Sequence, residues 1–367
     1  MKHPLFIFIL FFAAYGCNPT SITTPEVLND GWLVSTPQAE GFNEDKLIEA
    51  VKKYADNNDG LNSLLIARNG KLVVEEYYNG YDRESKQKIW SITKPVTNTL
   101  IGIAADKGYL TVEDPLTKYF NIDSTSPKAK IEIYHLLAMS SGLEWEEMGG
   151  PGSQGFDMAY SNNWVNFVLQ QPMIHQPGEV YNYSTGNTVL LAPILKNATD
   201  KPVEVFADEV LFTPLGITDY EWDKHSDFWE TTAGDELPGA KKPSSPIHYQ
   251  EDYINTGSGL RMRARDIAKI AQLHLNQGVW NKQQVVSSDW VTASTRMNGF
   301  EKDYGLNWDV DPATMHYFKT GFGGQIIFVA PELELVVVIT QSNYRNMGEA
   351  HTLTNKLIKG VINSINP

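Results

Sequence analysis

Apolar positions along this chain fall into two periods, and the two are segregated by region. Between residues 43 and 56, Leu47, Ile48, Val51 and Tyr54 recur at helical spacing behind a potential cap, Asn43, predicting an amphipathic helix. Leu61 to Ala67 and Leu72 to Tyr78 are apolar runs separated by Arg68-Asn69-Gly70-Lys71. Asn-Gly between such runs is a strong hairpin signal, so two antiparallel strands follow the helix. Val96, Leu100, Ile103 and Ala104 return to the helical period, and Gly108 ends that helix. From 109 to 255 the pattern predicts short helices at 131–139, 161–170, 187–196 and 202–212, with few strands. A clearer helix spans 264–276. The tail reads as four strands, Tyr304 to Val310, Met315 to Lys319, Gln325 to Ala330 and Leu333 to Thr340, with a hairpin at Ala330-Pro331-Glu332 and a closing helix over 348–363.

Strands at both ends with helices between them predict an α/β chain of the α+β type. Its mainly antiparallel sheet would draw on 36–107 and 256–367 and be flanked by helices, with a mostly helical domain inserted over 108–255. A cleft belongs where the two parts meet. No internal repeat is evident.

Composition narrows the function classes. The 367 residues include 42% hydrophobic and 20% charged, enough for a sizeable core. Acidic residues outnumber basic ones by 44 to 30, a net charge of -14, which disfavours a nucleic-acid partner. The eight histidines form no metal-ligand pattern, and no cofactor is implied. Met1-Lys2-His3, the apolar run Leu5 to Ala14 and Gly16-Cys17 read as an export signal over 1–16. Cys17 is the sole cysteine, which excludes an intrachain disulfide. It resembles the lipidated first residue of a bacterial lipoprotein, although Ala14 and the bulky Tyr15 depart from the usual signal; the alternative is a plain secretory signal. Residues 17–35 would then be a lipidated tether, placing the protein in the bacterial cell envelope with membrane contact through the lipid.

Three segments carry candidate chemistry. Ser91-Ile92-Thr93-Lys94, at a helix start, sets a hydroxyl and an amine three residues apart on one helix face. A serine hydroxyl needs a neighbouring base, and a lysine can act as that base or assist another. Tyr181-Asn182-Tyr183-Ser184-Thr185 lies in a polar turn rich in Gly, Asn and Ser, and Lys319-Thr320-Gly321-Phe322 passes from a strand into glycines that allow close backbone approach. Together, in this order and at this wide spacing, the segments resemble the serine beta-lactamase and penicillin-recognising superfamily. Within it they are most similar to the branch of class C beta-lactamases, D-alanyl-D-alanine carboxypeptidases and esterases. Ser-Ser-Gly-Leu-Glu-Trp at 140–145, Pro214-Leu215-Gly216-Ile217, Thr256-Gly257-Ser258-Gly259-Leu260 and Asp30-Gly31-Trp32 resemble especially 6-aminohexanoate-dimer hydrolase and related carboxylesterases.

The resemblance implies a beta-lactamase/transpeptidase-like fold and an acyl-enzyme on Ser91. Tyr183, beside Lys94, would take and return the proton, with Lys319 adding positive charge. The backbone N–H groups of Ser91 and Phe322 would form the oxyanion hole, and Thr185, Thr320 and Gly321 would contact substrate. Tyr183 suits the motif better than Tyr181 because of its frame, Pro177-Gly178 before and Gly186-Asn187 after. Thr185 then stands where the branch usually has asparagine, which favours an ester or small linear amide over a beta-lactam. Trp90 and Trp145 line an acyl pocket or else pack as core or rim, and Tyr220, Trp222, Phe228 and Trp229 precede a possible cleft loop at 234–239. His316 falls on the sheet face opposite Lys319, and Arg263 and Asp266 read as cap and surface partners. The expected partner is a small ester or amide, or a short peptide or peptidoglycan fragment. The alternatives are a D-alanyl-D-alanine carboxypeptidase, a penicillin-binding protein or weak class C-like beta-lactamase, and a non-catalytic ligand-binding lipoprotein.

Overall fold

The computed structural model describes residues 22–147, 149–231, 241–299 and 303–366. Seven strands form the main sheet in the order β1 (Leu33–Val34), β3 (Lys71–Tyr77), β2 (Leu61–Arg68), β12 (Leu335–Gln341), β11 (Ile326–Ala330), β10 (Tyr317–Thr320) and β9 (Asp309–Val310). Only β1 and β3 run parallel; all other neighbours are antiparallel. The central join is β2 against β12, which pairs Ile66 with Val337 and so brings the two ends of the chain together.

The continuous apolar runs of the central strands have a direct cause. Side chains alternate across a sheet, and both faces here are covered. Leu64, Ile66, Val337, Ile339 and Phe328 pack on one side in the core beneath α1 (Glu44–Ala55) and α12 (Met347–Asn363). Leu65, Ala67, Val336, Val338 and Ile327 face the other core, which includes α10 (Ala264–Leu275) and α2 (Thr93–Asp106). Asn43 caps α1 as expected, accepting from Lys46 N at 3.0 Å.

The second core continues without a break into the middle of the chain, through α3 (Ile133–Leu137), α4 (Gln154–Tyr160), α5 (Trp164–Gln170), α6 (Thr185–Val189), α7 (Leu191–Thr199), α8 (Val203–Ala207) and α9 (Phe228–Thr231). A single helix over 187–196 is not what forms: α6 and α7 meet at Leu190, because Pro193 has no N–H to return to the Val189 carbonyl. After α8 the chain winds more widely over Asp208–Phe212. A second, three-stranded sheet joins the middle of the chain to its flanks, β4 (Lys86–Lys88), β6 (Leu260–Arg263) and β5 (Glu221–Trp222), with strands too short to show a period. A small hairpin, β7 (Val279–Trp280) and β8 (Gln283–Gln284), and α11 (Ser288–Ser294) complete the described elements.

The strand expected over Tyr304 to Val310 shrinks to β9. Its first half turns at Asn307, in the left-handed region at φ 60, and spends its backbone bonds elsewhere: Leu306 N donates to Ser294 O and Asn307 N to Leu137 O, each at 2.9 Å. Asp266 is another correction. It is buried, paired with Lys269 at 2.8 Å, because α10 is sandwiched against the sheet. Arg263 does bridge the surface acids Asp219 and Glu84. No helix among the described residues is long and apolar enough to cross a membrane. Cys17, the export signal and loop 234–239 lie outside the described residues.

Candidate active site

Helix α2 carries two of the candidate residues through the interior. Every residue from Thr93 to Ala104 is buried, so its polar side chains must find partners inside. Thr97 donates to Thr256 O at 2.8 Å and Asn98 accepts from Trp290 at 3.2 Å. Ser91 sits on the tight turn Trp90–Ile92 that leads into this helix. Trp90, immediately before it, has φ 49, a strained conformation for a bulky residue that needs over-determined surroundings. The surroundings are present: the indole meets Phe322 edge-on at 5.2 Å, and Lys88 Nζ, ion-paired with buried Asp223 at 3.0 Å, lies 4.8 Å from the ring centre.

Lys94 is completely buried. Its Nζ lies 3.2 Å from Ser91 Oγ and donates to Thr185 Oγ1 and to the Gly257 carbonyl, each at 3.0 Å. The Tyr183 hydroxyl lies 3.0 Å from Ser91 Oγ. Tyr181 does not make this contact; it packs against Tyr304, ring centres 5.1 Å apart, although it also borders the cleft.

The loop that presents Tyr183 is clamped by the Ser-Ser-Gly-Leu-Glu-Trp segment. Asn182 N donates to Met139 O at 2.7 Å, Asn182 Nδ2 to Trp145 O at 2.9 Å, and Ser141 Oγ to Asn187 at 2.8 Å. Trp145 lies flush against Gly186, where a Cβ would come within 2.6 Å of the indole. Trp145 therefore packs under the tyrosine loop, and the cleft described below is lined by other residues.

Strand β10 brings the third segment. Tyr317 and Lys319 share a face, and His316 points the other way to Glu332, as the strand period requires. Lys319 Nζ donates to Asp309 at 3.0 Å and to the Tyr304 hydroxyl at 3.2 Å, 4.8 Å from the centre of the Tyr183 ring. The strand end abuts the turn that bears Ser91 so closely that a Cβ on Gly321 would sit 2.6 Å from Ile89 O.

These segments open onto a cleft of about 480 Å³. One part of the wall is apolar, from Trp90, Met158, Trp164, Phe228 and Phe322; another is polar, from Glu147, Asp309 and Lys319. Thr185, Thr320 and Gly321 also border it. Of the aromatic cluster at 220–229, Phe228 reaches the cleft, whereas Tyr220, Trp222 and Trp229 bond Asp208, Asn255 O and Ala159 O. Among the described residues no group of His, Cys, Asp or Glu is arranged to hold a metal ion.

Burial sets the electrostatics. It lowers the Lys94 ammonium to about 7, with Lys319 pushing the same way and Glu147 and Asp309 opposing. Burial also drives the Tyr183 phenol well above its ordinary value, and the negative charge of Glu147 adds to this, against the hydrogen bond shared with Ser91. Both groups beside Ser91 thus favour their neutral forms. Three residues of this network escaped the motif reading: Glu147, Tyr304 and Asp309. Glu147 receives Thr185 N at 2.9 Å, Trp145 Nε1 at 2.6 Å and the Thr185 hydroxyl. The second of two glutamates after Trp145 in a loop carries no spacing signal that would have found it.

The sequence profile of the family described as Beta-lactamase matches residues 56–359. This chain belongs to the beta-lactamase family. Its fold is that of the penicillin-recognising serine hydrolases. A relative from Escherichia coli O157:H7 named "Putative D-alanyl-D-alanine carboxypeptidase" is 22% identical, over 83% of this chain and 84% of its own length. Among solved structures, a "Putative 6-aminohexanoate-dimer hydrolase from Bacillus anthracis" superposes with a TM-score of 0.68 at 20% identity, covering 84% of this chain and 80% of that one. "EstCE1, a hydrolase with promiscuous acyltransferase activity" also gives 0.68, at 16% identity, covering 86% and 97%. At these identities the two structures establish the fold.

Proposed function

We propose that this family member is a serine hydrolase that cleaves a small ester or linear amide through an acyl-enzyme on Ser91. The observation that carries the reading is the pair of contacts on one hydroxyl, Lys94 Nζ at 3.2 Å and Tyr183 Oη at 3.0 Å from Ser91 Oγ, at the wall of an open cleft.

The different environments divide the labour between the two groups. Lys94, held near 7, has a substantial neutral fraction at neutral pH and is the base that takes the Ser91 proton as Oγ bonds to the substrate carbonyl carbon. This assigns the first transfer to Lys94 and not to Tyr183, the group expected from the family resemblance. Tyr183, held neutral, gives its phenolic proton to the departing alcohol or amine as the carbonyl–heteroatom bond breaks, and the proton on Lys94 restores the phenol. The Ser91 and Phe322 N–H groups are assigned to the oxyanion, Lys319 supplies positive charge near Tyr183, and Thr185, Thr320 and Gly321 bound the substrate. Water then attacks the acyl carbon by the same proton route in reverse.

The cleft supports an uncharged substrate with an apolar acyl group. Trp164, Phe228 and Trp90 offer the apolar wall, and the Lys319 charge is met by Asp309. The carboxypeptidase name of the Escherichia coli relative motivates a second reading, cleavage of a D-alanyl-D-alanine peptide, which ends in a carboxylate. Glu147 and Asp309 in the cleft wall work against an anionic substrate. We also propose export and lipidation at Cys17 on the strength of the apolar run and Gly16-Cys17; radiolabelled palmitate incorporation lost in Cys17→Ser tests it.

The deciding experiment treats folded protein with a fluorophosphonate and p-nitrophenyl esters. Mass addition at Ser91 with turnover abolished in Ser91→Ala supports the hydrolase. Equal turnover by Ser91→Ala rules it out.

A further inference from the structure

The threonine at 185 poses a chemical problem that the proposed mechanism leaves open. A neutral lysine amine has two N–H donors and one lone pair. To act as a base toward Ser91 it must hold both hydrogens elsewhere and keep the lone pair facing Oγ. Gly257 O, a carbonyl, can only accept, and it takes one hydrogen at 3.0 Å. The other lies on Thr185 Oγ1, also at 3.0 Å. A hydroxyl, unlike a carbonyl, can turn and donate. If Thr185 donated to Lys94, it would occupy the lone pair on which the reaction depends.

Glu147 removes that freedom. Its carboxylate is acceptor-only and takes the Thr185 hydroxyl hydrogen on Oε1, leaving Oγ1 able only to accept from Lys94. The carboxylate is itself fixed, because Oε2 receives Thr185 N at 2.9 Å and Trp145 Nε1 at 2.6 Å, and Trp145 is wedged against Gly186. We propose that Glu147 is a positioning residue of the acid–base pair: by committing the Thr185 hydroxyl as an acceptor, it orients the Lys94 amine so that its lone pair faces Ser91. Glu147 and Thr185 together supply what a single side-chain carbonyl would supply. This inference rests on the serine-hydrolase reading above.

The arrangement makes two separable contributions, one of hydrogen-bond polarity and one of charge. The charged and titratable groups around Lys94 are Tyr183, Glu147, Lys319 and Asp309, with Tyr181 and Tyr304 behind them and His351 at the cleft wall. Within this set Glu147 raises the Lys94 ammonium. Glu147→Gln removes the charge and keeps one acceptor oxygen, which can serve the Thr185 hydroxyl or the Thr185 and Trp145 N–H groups but not both. Glu147→Ala removes both.

The test is the second-order rate of Ser91 phosphonylation by a fluorophosphonate, in which Oγ bonds to phosphorus and fluoride leaves, followed by intact-protein mass spectrometry from pH 5 to 10, for wild type, E147Q, E147A, T185V and E147A/T185V. In wild type the rate rises as Lys94 loses its proton. E147Q moves that rising limb to lower pH with a smaller fall in plateau rate than E147A. E147A and T185V each lower the plateau by about 10- to 100-fold, the range of one misdirected proton-transfer group. The double variant is no slower than the worse single variant, because both break the same link. In E147Q the limb reads the charge contribution, and its titration as a single step shows that the variant is folded, while the plateau reads the polarity. A plateau rate in E147A equal to that of wild type, or fully additive losses in the double variant, would overturn the positioning role while leaving the hydrolase reading intact. A wild type that the fluorophosphonate does not label at Ser91 overturns both.

Discussion

The Tyr183 hydroxyl lies 3.0 Å from Ser91 Oγ although 92 residues separate the two along the chain. Tyr181, two residues earlier on the same loop, packs instead against Tyr304. Tyr183→Phe should therefore lower kcat for p-nitrophenyl acetate by about 10²- to 10⁴-fold, the usual worth of a positioned acid–base group. Tyr181→Phe should change it by less than about tenfold. Steady-state kinetics on both variants checks the pair, and the reverse order of effects would transfer the proton-carrier role to Tyr181.

Lys94 titrates near 7 because it is buried. In the proposed mechanism the neutral amine is the base, so kcat/KM should climb with pH through about 7. Stability follows the same group with a definite sign. Its folded value is depressed below an unfolded value of about 10.4. Between these two values the unfolded chain binds the extra proton, so stability rises with pH across that window. Lys94→Met should abolish acylation and flatten this part of the profile, as read by denaturant unfolding from pH 6 to 10.

Asp309 meets the Lys319 charge at 3.0 Å at the cleft wall. Asp309→Asn removes one negative charge from the cleft and should increase acylation by a fluorescent penicillin, whose carboxylate the acids disfavour, by roughly 3- to 30-fold, on the order of one screened charge interaction. Ester turnover should change less. Added salt should shrink the difference between variant and wild type; a variant no faster than wild type with penicillin would show that charge is not what limits this substrate.

At Gly321 there is no room for a side chain, because Ile89 O would lie 2.6 Å from the new Cβ. Gly321→Ala should push the end of β10 from the nucleophile turn and reduce kcat by at least about 10²-fold, as expected for a displaced oxyanion donor. Thermal unfolding should show that the chain still folds, at a cost of about 1–3 kcal/mol.

Much of the sheet was legible because the pattern that makes a strand is local. The runs at Leu64 to Ala67 and Leu335 to Ile339 are apolar at every position, which signals two covered faces, and Asn69-Gly70 signals the turn between β2 and β3. Tyr304 to Val310 misled for the complementary reason. Its composition suits a strand, but the backbone bonds of Leu306 and Asn307 go to α11 and α3 residues that no local pattern connects to them. The two-residue strand β5 has no period to read at all, and exists because β6 offers it an edge.

The catalytic candidates divide along the same line. Ser91 and Lys94 are three apart on one helical turn, so the sequence alone brought their side chains within reach. It also named Tyr183 and Lys319, by resemblance and not by geometry. Tertiary structure decided the rest: that α2 runs through the interior and so depresses its lysine, that Trp145 lies beneath the tyrosine loop, and that Glu147 and Asp309 stand beside Thr185 and Lys319. A motif records which groups must be present. The protonation state and direction of each group depend on desolvation and on neighbours distant in the chain, and those exist only once the chain has folded.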